Sequence, residues 1–269
     1  MEYIGVCGIG VVGSAVLNCF KKRGILLKVY DKYKNNGIGK ISDLLESKII
    51  FLCLPTLYSI EKKEYDKTAI YEVCEYLKKN NYNGIVVIKS TVEPGTCREL
   101  NEKYNLNIIH NPEFLTARTA EEDFEKQNHI VIGGKTNDDK NIEIIKQFYD
   151  KYWGNILTST STYEESELMK IGVNSFYATK IQFFNEIYSL TNTFDDANYE
   201  KIISMMLKNN WISPNHVDVP GTDGKISYGG MCFPKDTNAL NQLMIKKGTP
   251  NKVLESVILE RDIMRNDKE

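Results

Sequence analysis

Residues 3–13, Tyr-Ile-Gly-Val-Cys-Gly-Ile-Gly-Val-Val-Gly, set a β-rich run directly against a G-x-G-x-x-G turn and the start of a helical pattern. No other stretch constrains the fold as strongly. A strand, a tight glycine turn and a helix folded back on the strand open a βαβ unit. The rest of the first half continues that alternation. Hydrophobic patterning predicts strands at 3–7, 26–30, 49–54 and 85–89, with shorter ones at 107–110 and 129–133. It predicts helices at 12–23, with Gly24 as the stop, and at 69–79 and 138–152. Strands alternating with helices imply an α/β domain with a parallel sheet covered on both faces.

Each glycine of the turn has a separate task. Gly8 permits the tight turn, Gly10 lets backbone approach a pyrophosphate, and Gly13 lets helix and strand pack closely. Val11, within the turn, is read as a further cofactor contact, and the free N–H groups and partial positive charge at the start of the helix suit phosphate. The second strand ends at Asp31, placed to accept hydrogen bonds from ribose hydroxyls and to repel a 2′-phosphate, which favours NAD over NADP. Lys32 beside it works against that preference. The bland alternative is a glycine turn that binds nothing.

The second half is mainly helical. Long helical periodicity runs over 164–190, with Leu168, Ile171, Phe176, Ile181, Phe184 and Ile187 making much of an apolar face that reads as core or dimer contact. Further helices are expected at 199–209, 237–247 and 250–265, with a Pro-, Gly- and Asp-rich loop at 213–228. The domain boundary is placed near 159–162, giving domains 1–160 and 161–269.

Bulk properties exclude several classes. The net charge is −2 and 26% of residues are charged, with the basic ones dispersed, so neither nucleic acid nor an anionic membrane is an expected partner. No apolar run reaches the length of a membrane span, and Met1 to Val6 reads as a first strand, so the expected location is the cytoplasm. The six cysteines, Cys7, Cys19, Cys53, Cys74, Cys97 and Cys232, form no Cys-x-x-Cys pair. His110, His129 and His216 lie far apart, and no metal centre is expected.

The segment Tyr228-Gly229-Gly230-Met231-Cys232-Phe233-Pro234-Lys235-Asp236-Thr237 concentrates reactive chemistry. Its two glycines allow close approach of a ligand to backbone. Cys232 is a potential nucleophile, since a thiol of pKa about 8.5 is made more acidic by nearby cations. Cys7, Cys19, Cys53 and Cys74 sit in strand or helix patterns and read as buried thiols, while Cys97 is open. Lys170 and Asn174 stand at i and i+4, on one helix face, where a cation and an amide donor can serve one oxyanion. An ordinary solvated helix face is the plain alternative for that pair.

The 228–237 segment resembles the active-site loop of the UDP-glucose/GDP-mannose dehydrogenase family. Gly8 to Gly13, Pro55-Thr56, Lys89-Ser90-Thr91-Val92-Glu93-Pro94-Gly95-Thr96, Asn111-Pro112-Glu113-Phe114-Leu115, and the helix running from Glu167-Leu168-Met169-Lys170 through Asn174 and Lys180 to Asn185-Glu186 match in order. The resemblance covers nearly the whole chain. It implies a Rossmann-type doubly wound sheet followed by a mainly helical dimerisation domain, with the long helix as the core of a homodimer. It also implies oxidation of a nucleotide sugar's C6 alcohol to a carboxylate, UDP-glucose to UDP-glucuronate in the leading case, by two hydride transfers to NAD. Cys232 would be the nucleophile, forming a thiohemiacetal and then a thioester. Lys170 and Asn174 would steady the oxyanion, Asp236 would handle a proton or water, and Glu113 would be the base for hydrolysis. Thr91 would position water and cofactor, Thr56 and Lys235 would contact cofactor, and Phe114, Leu115 and Gly229 would line the substrate pocket.

Three departures stand out. Ala117-Arg118 replaces the family's second glutamate and the small residue after it. Only Lys32 to Lys48 separates Asp31 from the next strand, where the family has a longer insertion. The resemblance would imply a second Rossmann-like domain that grips the nucleotide, which is not expected in a sequence ending at Glu269, and 221–227 lacks the family's Asn- and Ser-rich stretch. Two other functions therefore stand beside the leading one: a non-catalytic, NAD-binding dimeric remnant, and a dehydrogenase for a different sugar such as GDP-mannose.

Overall fold

The computed structural model describes residues 2–265; Met1 and Glu269, named above, lie outside the described residues. The chain forms two compact units. Among the described residues, one runs to Leu57 and resumes over Tyr65–Lys170; the other holds Tyr58–Glu64 and the stretch from Ile171 to Arg265.

The first unit is built on a seven-stranded sheet. Its strands are β1 (Tyr3–Cys7), β2 (Leu27–Tyr30), β3 (Ser47–Leu52), β4 (Ile85–Ile88), β5 (Asn107–His110), β6 (His129–Gly134) and β7 (Leu157–Thr162), in the order β2-β1-β3-β4-β5-β6-β7. The first five run parallel. β6 opposes β5 at the single pair His110 and Gly133, and β7 then runs parallel to β6. The sheet is therefore mixed rather than wholly parallel. The expected α/β, Rossmann-type organisation holds, with an added pair of strands at one edge.

Helices cover both faces. They are α1 (Val11–Lys22), α2 (Thr68–Lys79), α3 (Thr96–Tyr104), α4 (Ala120–Glu125) and α5 (Lys140–Trp153). The strand period of two sorts the core cleanly. Val6, Ile49, Phe51, Val87 and Ile109 pack with Phe20, Phe124 and Phe148 on one face. Cys7, Ile50, Leu52, Val86, Ile88 and Ile108 pack with Ile70, Leu77 and Leu100 on the other. Buried on both faces, these strands read as near-continuous apolar runs. β7 is different: Leu-Thr-Ser-Thr-Ser-Thr is largely exposed at the sheet edge. The segment expected to hold the boundary is thus a strand, and the division between units falls later, after Lys170.

The chain passes from β1 outward to β2 and then returns across to β3. That reversal creates a crevice at the carboxyl ends of β1 and β3, the place where open α/β sheets bind ligands. The segments singled out by sequence follow the carboxyl ends of successive strands: Gly8 after β1, Asp31 after β2, Thr56 after β3, Thr91 after β4 and Glu113 after β5. The short link from β2 to β3 holds two 3₁₀ turns, Lys34–Asn36 and Ile41–Glu46.

The second unit takes the carboxyl-terminal part of α6 (Tyr163–Thr191), then α7 (Tyr199–Leu207), α8 (Phe233–Lys247) and α9 (Lys252–Met264). Phe184, Tyr199, Ile203, Val217 and Val219 form one core cluster, and Ala178, Tyr228 and Val257 another. The apolar face expected on α6 is two faces: Ile171 and Phe184 are buried, whereas Leu168, Phe176, Phe183 and Leu190 are exposed. Among the described residues no helix is long and apolar enough to cross a membrane.

Candidate active site

The glycine turn has the shape its sequence demands. Gly8 adopts φ +85°, and a Cβ there would lie 2.6 Å from the Cys53 carbonyl oxygen. A Cβ on Gly13 would lie 1.8 Å from the Gly8 carbonyl oxygen, so strand and helix meet only because that position is bare. A Cβ on Gly10 would meet nothing within 4 Å, leaving the backbone open on that side. Gly10 is the N-cap of α1 without a side-chain cap, and no acidic residue occupies the first turn. Such a turn presents donors and positive potential to an anion. The cradle fits a dinucleotide.

Asp31 is more committed than the sequence suggests. Its carboxylate accepts from the backbone N–H groups of Ile9 at 2.6 Å, Tyr33 at 2.9 Å and Lys34 at 2.8 Å. Burial pushes its carboxyl up, but these donors, from Ile9, Lys34 and Tyr33, and the Lys34 ammonium outweigh it and hold the group below its ordinary value. With three of about four acceptor positions filled, room remains for roughly one ribose hydroxyl. Lys34, outside every motif of the sequence, places its ammonium 2.5 Å from the Ile9 carbonyl and 3.0 Å from Ser14 Oγ. Its only sequence signal is a cation three residues past the acid.

Further along the strand ends, the Thr56 hydroxyl donates to the Thr91 carbonyl at 2.7 Å, and Ser90 Oγ ties both the N–H and the C=O of Leu54. These bonds lock the loops after β3 and β4 together. Glu113 accepts from the Leu115 N–H at 2.5 Å and lies 3.6 Å from the Lys170 ammonium. Lys170 also donates to the Glu113 carbonyl and sits 4.9 Å from the centre of the Phe114 ring. The structure thus gathers Glu113, Phe114, Leu115 and Lys170, with Thr56 and Thr91 paired nearby in sequence order.

Beneath this lies a polar core the sequence did not announce. Lys89, 2% exposed, donates to Asn111 Oδ1 at 3.1 Å; Tyr149 donates to the same oxygen at 2.7 Å, and Asn111 Nδ2 donates to the Val131 carbonyl. Burial pulls the Lys89 ammonium down to about 8, against the opposing pull of Cys53 and Glu113. His110 pairs with Ser166 Oγ at 2.8 Å, and burial, with Lys89 nearby, lowers it to about 3, so it stays neutral. Glu167 accepts from the N–H groups of Gly95 at 2.6 Å and Cys97 at 2.7 Å, capping α3 from a distant helix.

In the second unit, Cys232 is the exposed cysteine and the N-cap of α8, with Pro234 in the first turn. Its carbonyl accepts from the Asp236 N–H at 3.1 Å. Asp236 is fully buried; Asn174 Nδ2 donates to one oxygen at 2.6 Å and Lys235 to the other at 2.5 Å. Asn174 therefore spends an amide hydrogen on Asp236, a contact 62 residues away in sequence that i,i+4 reasoning cannot supply. Gly229 lies against Arg265, since a Cβ there would meet the guanidinium at 2.2 Å. Arg265 in turn holds Asp223 at 2.5 Å and the Ser227 carbonyl at 3.3 Å, anchoring the loop that leads into the cysteine segment.

The other thiols are inert by position. Burial raises Cys19 to about 11 and Cys53 and Cys74 to about 12, and raises Cys7 still further. Cys97, left open by the sequence, is fully buried and raised by burial and by Glu167.

Two family descriptions match the chain: the NAD binding domain of the UDP-glucose/GDP-mannose dehydrogenase family over residues 38–153, and the central domain of the same family over residues 164–260. The chain belongs to the UDP-glucose/GDP-mannose dehydrogenase family. Gly8 to Gly13 and Asp31 precede the matched NAD binding segment, so their own geometry carries them. Among curated relatives, a UDP-glucose 6-dehydrogenase of Rickettsia bellii is 32% identical over 228 residues, covering 80% of this chain and 49% of that protein. The UDP-glucose 6-dehydrogenase TuaD of Bacillus subtilis is 28% identical over 300 residues, covering 96% of this chain and 62% of that protein. The chain spans about half to three-fifths of the length of these relatives. A solved UDP-glucose dehydrogenase from the archaeon Pyrobaculum islandicum shares the fold at TM-score 0.82 with 21% identity, over 98% of this chain and 68% of that one.

Proposed function

We propose that this chain carries the cofactor site and the reactive cysteine of an NAD-dependent dehydrogenase that oxidises the C6 alcohol of UDP-glucose to the carboxylate of UDP-glucuronate. One observation carries the reading: of six thiols, the exposed one caps the helix whose buried Asp236 is held by Asn174 and Lys235. Family membership and the names of the curated relatives support the sugar.

NAD, when bound, supplies the two-electron acceptor for each of two oxidations. Gly8, Gly10, Val11 and Gly13 would hold its phosphates, Asp31 its ribose, and Thr56, Thr91 and Lys235 the rest. In the first oxidation C6 loses a hydride and its hydroxyl loses a proton, leaving an aldehyde. The Cys232 sulfur then adds to that carbon, and the new oxyanion is steadied by Lys170 and Asn174, with Asp236 exchanging the proton. Loss of the second hydride converts the thiohemiacetal to a thioester. Glu113 takes a proton from a water ordered by Thr91; the water adds, the carbon–sulfur bond breaks, and the thiolate is restored. Covalent capture keeps the aldehyde from escaping. A partial positive charge at the amino end of α8 favours the thiolate at both ends of the cycle. Phe114, Leu115 and Gly229 would shape the sugar site.

In this reading residues 1–160 serve the cofactor and 161–269 the cysteine and a dimer contact. Phe176, Phe183 and Leu190 stand seven residues apart on α6, all exposed, a stripe that a second copy can cover. Six unbridged thiols suit the cytoplasm.

The test is stoichiometric. The chain is mixed with NAD and a limiting amount of UDP-glucose, GDP-mannose or another nucleotide sugar, and NADH absorbance is followed to completion. Two NADH per UDP-glucose is expected. NAD binding without NADH formation from any sugar would overturn the proposal.

A further inference from the structure

A cavity of about 420 Å³ lies beside the glycine turn, bounded by Val11, Ser14 and Asn18 of α1 and by Ala117, Arg118 and Glu121. All of these belong to the first unit. Arg118 is the cation among the residues that line it.

The charges around it do not cancel. Glu121 is held by Lys22 at 2.8 Å and by Asn18 Nδ2 at 2.9 Å, and Glu122 by Lys126 at 2.6 Å. Asp123 is occupied by the Thr116 N–H and the Thr119 hydroxyl, both at 2.8 Å. The Lys34 ammonium is engaged with Ile9 and Ser14. Arg118 is exposed, and among the described residues it makes no hydrogen bond or ion pair. Ala117 offers no carboxylate to meet it. A guanidinium without a counterion thus shares a cavity with the first turn of an uncapped helix. Both attract anions, and a guanidinium fork matches phosphate oxygens in pairs.

We propose that Arg118 grips the pyrophosphate of the bound dinucleotide, adding a side-chain cation to the backbone donors of the glycine turn. The proposal rests on the reading of that turn as the cofactor site. An exposed arginine at rest costs the fold nothing, so its substitution should leave stability unchanged and act on anion affinity. Ala117 supports it by setting no acid beside the guanidinium to compete for it.

The experiment is a calorimetric titration of the full 269-residue chain with NAD, ADP-ribose and adenosine, at fixed salt, for the wild type, Arg118→Ala and Arg118→Lys. Losing a charge-assisted contact to phosphate should weaken NAD and ADP-ribose by roughly ten- to a hundredfold in Arg118→Ala. Adenosine, which has no phosphate, should bind all three proteins alike. Arg118→Lys keeps the charge but not the fork and should fall between. Unchanged ADP-ribose affinity in Arg118→Ala overturns the proposal, as does an equal loss for adenosine, which would mean a structural role. If the wild type binds neither NAD nor ADP-ribose, the cofactor reading itself fails and this proposal with it; that failure shows in the wild type and not in the variants.

Discussion

Replacing Glu167 by Gln should remove a large pH dependence from the stability of the first unit. Glu167 is fully buried, its carboxylate oxygens accepting from the Gly95 and Cys97 N–H groups at the start of α3. Burial raises its carboxyl from 4.5 to about 7, against the pull of those donors. A folded value above the unfolded one means that the native state holds the proton more tightly. The associated stability is fully present below pH 4.5 and is lost as pH rises through 7. Between pH 5 and pH 8 that loss amounts to about 2.5 kcal/mol, at about 1.4 kcal/mol per pKa unit. Glutamine cannot ionise. Its misplaced amide hydrogens add an offset that is the same at every pH, so the difference between the two proteins isolates the titration. The assay is urea unfolding at pH 5, 6, 7 and 8, read by Trp153 in a Trp211→Phe background; Trp211 is 94% exposed and reports on the other unit. Wild-type stability should fall by about 2.5 kcal/mol relative to Glu167→Gln across that range. Parallel pH curves would refute the reasoning.

Other expectations follow from single contacts. Gly13→Ala forces a methyl group onto the Gly8 carbonyl at 1.8 Å and should abolish NAD binding, with a fall in thermal midpoint; a variant that binds NAD normally would contradict the packing. A thiol reagent should modify Cys232 first in the native protein and all six cysteines after denaturation; early labelling of Cys74 or Cys97 would contradict their burial. Asn174→Ala removes a donor from a fully buried carboxylate and should cost about 1.5–3 kcal/mol, measured by denaturant unfolding; a neutral result would mean Asp236 finds another partner.

Much of this architecture is legible in the sequence because continuous apolar runs and glycine punctuation are local signals. Ile49 to Leu52 announces a strand buried on both faces, and Gly8, Gly10 and Gly13 each do in space what their spacing requires. β7 was not legible: an exposed edge strand of alternating Thr and Ser carries no apolar code. α3 was missed because Thr-Cys-Arg-Glu-Leu-Asn-Glu-Lys-Tyr is polar along most of its length and is capped from outside by Glu167. The reversal of β6 is likewise set by tertiary pairing, a single bridge between His110 and Gly133. At the candidate site, the residues that match a motif were found, and those that serve through space were not. Lys89, Asn111 and Tyr149 meet only after three strands and a helix assemble. Asn174 reads locally as a partner for Lys170, but one of its two amide hydrogens goes to Asp236, an acid from another helix.

The central claim is that the Cys232 sulfur carries the sugar as an acyl group. It is tested most directly by quenching the Glu113→Gln variant in acid during turnover with NAD and UDP-glucose, then mapping cysteine peptides by mass. With hydrolysis slowed, the peptide containing Cys232 should gain the mass of a uronyl nucleotide acyl group, and Cys232→Ala should show none. An adduct on a different cysteine, or undiminished two-step oxidation by Cys232→Ala, would contradict the account.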